Sequence, residues 1–190
     1  MALAHTILTV LCEQPASGYA ISKQFEQTIA CYWKASQQQI YRELAAMEAK
    51  GWLNHQLVPQ TGKPDKKVFA LTASGREELD RWNRSPTEPT PIREDLGVRV
   101  LGGAHMPRAV LIEELERRRG IHQQNLDTYL QREREFQALD APSLQGQFRY
   151  LTLRRGILYE QEWVRWCDEV IAFLQAQPAG ETERVKSPGK

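Results

Sequence analysis

Apolar residues recur along this chain at two spacings, and the changes between them mark out its parts. Leu3, Ile7, Leu8 and Leu11 share one helical face of residues 2–13, which Gln14-Pro15 brings to a stop. Ser17 then stands as the N-cap of a second amphipathic helix with Ile21, Phe25 and Ile29 at a spacing of four. Ser36-Gln37-Gln38-Gln39 has the form of a capping box, in which the serine hydroxyl takes an orphan N–H and the glutamine three residues on reaches back. A third helix therefore begins here, and Lys50-Gly51 closes it with a cation in the last turn and a glycine beyond. The period then shortens: 53–58 and 67–71 are β-prone runs flanking the turn-rich residues 59–65, which predicts a hairpin. Thr72 caps a further helix to about Trp82, anchored by Leu79 and Trp82. Three helices, a hairpin and a closing helix predict a winged helix-turn-helix.

Between 84 and 91, three prolines in six residues remove backbone donors and force extended geometry. The expected organisation is a winged-helix domain at 1–84, a proline-rich linker at 85–92, a helical domain at 93–176 and a disordered polar tail at 177–190. In the helical part, 96–101 is a short apolar segment ended by Gly102-Gly103. Pro107 suits the first position of a long helix to about Leu139, and Pro142-Ser143 restarts the chain into another to about Leu174. The fold class is mainly α with a small β-hairpin wing.

In the last helix, Leu153, Ile157, Val164, Cys167, Ile171 and Leu174 keep a 3.5-residue period that Glu160 interrupts. Tyr159, Trp163, Trp166, Val170 and Phe173 form a second stripe beside it, an apolar arc wider than one neighbouring helix requires. Such a helix should touch both its own chain and a partner, which makes the first stripe the candidate seam of a homodimer. Leu111, Leu115, Leu126, Tyr129 and Leu130 give the preceding helix the composition of its antiparallel neighbour. Tyr159, Trp163 and Trp166 also suit a pocket for a flat aromatic effector, although aromatic residues at helical spacing more commonly form core.

Composition narrows the function more by exclusion. With 190 residues and 41% hydrophobic content the chain supports one or two ordered domains. It has no apolar run long enough for a membrane span and no basic segment before an apolar stretch at its start, so a cytoplasmic protein is expected. Cys12, Cys31 and Cys167 are widely spaced, the four histidines are scattered, and no HExxH, GxSxG or phosphate-binding glycine loop occurs. An enzyme, a metal site and a bound cofactor are not expected.

The net charge of +1 offers no general attraction to nucleic acid, but residues 34–67 carry +3. At 100° per residue, with Ile40 at 0°, Leu44 falls at about 40° and Met47 at about −20°, while Gln38, Ala45, Ala49 and Arg42 fall between about 140° and 200°. Glutamine reads adenine, arginine reads guanine, and alanines let a helix lie close in the major groove. Ser36 and Gln37 stand at the helix start, where N–H groups favour a phosphate, and Tyr41 lies to one side. Lys63, Lys66 and Lys67 at the hairpin suit the DNA backbone or minor groove.

The string Gly18-Tyr19-Ala20-Ile21, Trp33, Ser36, Ile40-Tyr41, Leu44, Glu48, Gly51-Trp52-Leu53, Gly62-Lys63-Pro64, Lys67-Val68-Phe69, Leu71-Thr72 and Gly75-Arg76 resembles the PadR family of transcriptional regulators. Arg93-Glu94-Asp95, residues 151–157, Trp163 and Trp166 are similar to the C-terminal helical domain of longer PadR proteins and of a related virulence activator. Arg42 stands where that family commonly has proline, and Phe69 where tyrosine is usual. The resemblance implies a homodimer on a near-palindromic operator in double-stranded DNA, usually a repressor and sometimes released by a small molecule. A protein-interaction module, with the winged helix contacting another protein, is the competing reading.

Overall fold

The computed structural model describes residues 2–29, 33–62 and 65–178, so Lys63, Cys31 and the expected tail beyond 178 lie outside the described residues. The chain divides into two compact units, one ending at Pro89 and the other beginning at Thr90, within the proline-rich segment.

The first unit runs α1 (Ala2–Glu13), β1 (Ala16–Ser17), α2 (Gly18–Gln24) with a π-helical turn (Phe25–Ile29), α3 (Gln37–Ala49), β2 (Leu53–Val58), β3 (Lys66–Leu71) and α4 (Ala73–Asn83). Ile7, Leu8 and Leu11 of α1, Ile21 and Phe25, and Ile40, Leu44 and Met47 of α3 are buried together, with Phe69 and Leu79 closing the core. Fully burying one such side chain contributes about 1.5–3 kcal/mol, so the three apolar stripes hold the helices before any polar contact is counted. The predicted caps are present: Ser17 accepts from the Ala20 N–H and Thr72 from the Gly75 N–H.

The hairpin is part of a three-stranded antiparallel sheet in the order β1-β3-β2. Ala16 pairs with Phe69 and Ser17 with Val68, so β1 closes the base of the wing. Two residues are too short to show alternation, and their partner lies some fifty positions away, which is why the hairpin alone is expected from local pattern. His5, behind the sheet, stacks on Trp82 at 4.7 Å and contacts Glu78 at 2.9 Å, tying α1 to α4.

The second unit comprises α5 (Asp95–Leu101), a 3₁₀ turn (Gly103–His105), α6 (Arg108–Gln137) and α7 (Leu144–Ala176). Glu94 caps α5, and Ser143 caps α7 by accepting from the Gly146 N–H. Pro107 stands one residue outside α6, at its N-cap with φ −61°, rather than as its first residue. Helices α6 and α7 are antiparallel. Arg108 at the start of α6 donates to the carbonyls of Leu174 and Gln177, Arg119 pairs with Asp168, and Tyr150 donates to Glu133 near the turn.

Glu160, expected as a break in the apolar period, is a buried anchor. It accepts from His122 Nδ1 at 2.5 Å and from Asn125 at 3.3 Å, and the His122 ring stacks on Trp163 at 4.6 Å. A buried carboxylate is tolerable here because it is paired and hydrogen-bonded from the facing helix.

Candidate nucleic-acid interface

Helix α3 begins with both bonds of the capping box: the Gln39 N–H donates to Ser36 Oγ at 3.2 Å and the Ser36 N–H to Gln39 Oε1 at 2.8 Å. Ser36 Oγ is thus occupied as an acceptor, leaving its hydroxyl proton to donate outward, beside the first-turn N–H groups that a helix leaves unbonded. Ile40, Leu44 and Met47 face the core, while Gln37, Gln38, Tyr41, Arg42, Ala45 and Ala49 are exposed. Tyr41 is seated rather than free: a Cβ at Gly18 would lie 2.7 Å from its ring, so glycine at the start of α2 is what lets the tyrosine pack there. One contact ties the wing to this helix, and a second lies within the turn that connects them. His55 of β2 is hydrogen-bonded to Glu48 of α3, and the Lys50 ammonium lies 4.5 Å from the Trp52 ring centroid.

Lys66 and Lys67 are exposed, opposite Val58 and Leu57. Adjacent strand residues point to opposite faces, so Lys67 shares its face with the buried Phe69. Tyr41, Lys66 and Lys67 nevertheless border one hollow of about 530 Å³, together with Ser17, Gly18, Tyr19, Gln60 and Asp65. Tyr19 and Gln60 are members that sequence reading missed; Tyr19 is 60% exposed on α2, two residues after a cap and off the apolar stripe, and that position was its only local signal.

In the second unit the expected homodimer seam turns inward. Ile157 and Cys167 are 0% exposed within a single chain, and Cys167 packs with Leu96, Leu111 and Leu115. Leu153, Val164, Ile171 and Leu174 are half-buried. Within one chain, Leu96 of α5 and Leu111 and Leu115 of α6 pack with the Cys167, Ile171 and Leu174 part of this stripe. Burial pushes the Cys167 thiol upward, as expected of a small hydrophobe rather than a nucleophile. Tyr159, Trp163 and Trp166 line an open groove of about 350 Å³ with Ile92, Glu94, Gly97 and Glu162. The Arg118 guanidinium sits 5.2 Å from the Trp163 ring centroid and donates to Glu94. Among the described residues no helix is long and apolar enough to cross a membrane.

With this geometry in hand, comparison with known proteins is informative for both units. Residues 7–81 match the description "Transcriptional regulator PadR-like family" and residues 92–175 match "Virulence activator alpha C-term". A probable transcriptional regulator of Mycobacterium tuberculosis is 40% identical over 189 residues, covering 92% of this chain and 98% of that one. The virulence activator AphA of Vibrio cholerae has a solved structure with a TM-score of 0.78 at 32% identity, over 92% of this chain and 98% of its own. Bacillus subtilis PadR, solved in complex with operator DNA, shares the fold with a TM-score of 0.79 at 23% identity, over 92% and 99% of the two chains, and has also been solved with p-coumaric acid. Known transcriptional regulators thus match this chain over 92% of its length, through both units, and the chain belongs to the PadR-like family of transcriptional regulators.

Proposed function

We propose that this regulator is a cytoplasmic, sequence-specific DNA-binding repressor that acts as a homodimer on a near-palindromic operator, the winged-helix unit meeting the DNA and the helical unit joining the two chains. The observation that carries the reading is the outward side of α3, where Gln38 and Arg42 stand exposed among alanines and their neighbour Tyr41 borders one hollow with Lys66 and Lys67. Gln38 and Arg42 read base edges in the major groove. Ser36 and Gln37 hold a phosphate at the helix start, Tyr41 lies at the groove wall, and Lys63, Lys66 and Lys67 follow the backbone or minor groove through the wing. The operator complex of Bacillus subtilis PadR supports this choice of partner.

Two variants test it. Arg42→Ala should cost about 1–3 kcal/mol on the operator and relax preference at one base, whereas Lys66→Ala should weaken all sequences alike and lower the salt slope by about one ion. Wild-type affinity and salt dependence in both variants would refute the assignment.

Release by a small aromatic effector is supported by the groove of Tyr159, Trp163 and Trp166, and by the p-coumaric acid complex of the Bacillus protein. Titrating a panel of phenolic compounds against tryptophan fluorescence checks this; an absence of saturable quenching across the panel would count against it.

A further inference from the structure

We infer that the hollow where α5, α6 and α7 meet is a second ligand site, shaped for an apolar monocarboxylate whose charged end is held by Arg108. It is separate from the aromatic groove: Phe173, on its rim, lies about 21 Å along α7 from Tyr159.

The hollow has a volume of about 520 Å³, within the range of about 300–1,000 Å³ that small-molecule sites occupy. Val100 of α5, Leu111 of α6 and Val170 and Phe173 of α7 give it apolar walls, and Arg108 is the one charged residue among those that line it. The walls are part of packed structure, since Leu111 is 1% exposed and Val100 and Val170 pack against its cluster. The shape is therefore held by the fold. An apolar hollow with one cationic group at its wall selects an apolar body that carries one negative charge.

The guanidinium narrows the choice of anion. Both bonds that Arg108 makes leave from Nη1, to the carbonyls of Leu174 at 3.2 Å and Gln177 at 2.6 Å. They fix the side chain and occupy one nitrogen. The other edge, Nε–H beside Nη2–H, has no acceptor among the described residues, and that edge is a fork whose spacing matches the two oxygens of a carboxylate. The same edge is filled elsewhere in this chain. Arg117 donates from Nε and Nη2 to the two carboxylate oxygens of Glu114, both at 2.7 Å, and Arg84 does the same to Asp80 and Arg119 to Asp168. At Arg108 no Asp or Glu lines the hollow to play that part. A neutral hydroxyl would engage the fork by one bond without charge assistance, and an ammonium group would be repelled by it.

Bound in this way, the ligand joins three helices. Its apolar body lies against α5, α6 and α7, and its carboxylate meets the residue that already ties the start of α6 to the end of α7. Occupancy should therefore raise the melting temperature of the helical unit.

The test is isothermal titration calorimetry of the full chain with three probes of equal length, octanoate, octan-1-ol and octylammonium. Octanoate should bind at one site per chain, octan-1-ol at least tenfold more weakly, and octylammonium without saturable heat. Arg108→Gln should lower octanoate affinity at least tenfold and leave octan-1-ol as in wild type, which also reports that the hollow is still formed. Should octan-1-ol weaken equally there, Arg108→Lys decides, because octanoate must still lose more than octan-1-ol when the fork is removed and the charge kept. Ala104→Trp, at the exposed rim, should abolish octanoate binding, whereas Tyr159→Ala in the aromatic groove should not change it. The inference is overturned by octanoate held no tighter than octan-1-ol, by arginine variants that bind octanoate as wild type does, by binding lost in Tyr159→Ala and kept in Ala104→Trp, or by no saturable octanoate binding at all.

Discussion

Gly75→Ala sets two effects of opposite sign against each other. In an exposed helix, alanine is favoured over glycine by about 1 kcal/mol, so propensity alone makes this variant more stable. Gly75, however, is buried in the first turn of α4, where a Cβ would stand 2.2 Å from the Trp52 carbonyl oxygen and 3.1 Å from Leu71 Cδ2. The obstacle is backbone, and it is pinned. The Thr72 N–H donates to that Trp52 carbonyl at 3.1 Å, and the Thr72 hydroxyl donates to the Gly51 carbonyl at 2.6 Å. Relief therefore requires α4 to move away from the Gly51–Trp52 turn by about 1 Å, breaking or stretching both bonds. Overpacking typically costs about 1–3 kcal/mol, and a rigid obstacle puts this site at the upper end, so the net expectation is a loss of about 2 kcal/mol. With a urea slope of about 1–3 kcal/mol/M, the midpoint followed by tryptophan fluorescence should fall by roughly 1 M. Because the same turn leads from α3 into β2, operator affinity should fall as well. A midpoint equal to or above that of wild type would refute the packing argument.

Three further outcomes follow from the polar contacts. Arg81, and after it His5, hold the Glu78 carboxyl below the usual carboxylate range; the unfolded chain then takes up this proton at higher pH than the native one, so the stabilisation is complete above about pH 5 and is lost as pH falls through the lowered native value. Glu78→Gln should flatten the decline of melting temperature on acidification over that interval, and an unchanged profile would sink the argument. Glu160→Ala leaves His122 buried without its carboxylate and should destabilise the helical unit by about 3–5 kcal/mol in thermal melts, the usual consequence of removing one partner of a buried pair; a loss under 1 kcal/mol would contradict it. Alkylation at about pH 8 should label the exposed Cys12 promptly and the buried Cys167 only after denaturant is added, as peptide mass spectrometry can show.

What was legible in advance was what is settled within a few residues. Ser17, Ser36, Thr72 and Ser143 each stand three residues before the amide they cap, so an isolated reading of the chain finds four helix starts. Ile40, Leu44 and Met47 likewise orient α3, which leaves Gln38 and Arg42 outward by geometry alone. What was not legible depended on distant partners. Ala16–Ser17 becomes a strand only because Val68 and Phe69 lie alongside, and Glu160 looks like a fault in an apolar period until His122, thirty-eight residues earlier, supplies its partner. The apolar stripe of α7 was legible, but periodicity says that a face is covered without saying which helix covers it, and Leu96, Leu111 and Leu115 of the same chain pack against its Cys167. Tyr19 and Gln60 became visible only when the hollow around Tyr41 was assembled from three segments.

Strand β3 is held unevenly along its length. At Val68 and Phe69 it is bonded on both edges, by β1 and by β2, whereas at Lys66 and Lys67 only β2 accompanies it. Mechanically the wing is a cantilever clamped at its root, with the two lysines just past the clamp. A load applied at the lysines bends the outer span while the root, and α3 fastened to it through Glu48 and His55, keeps its alignment. On the proposed function, such a part would accommodate grooves of differing width without moving α3.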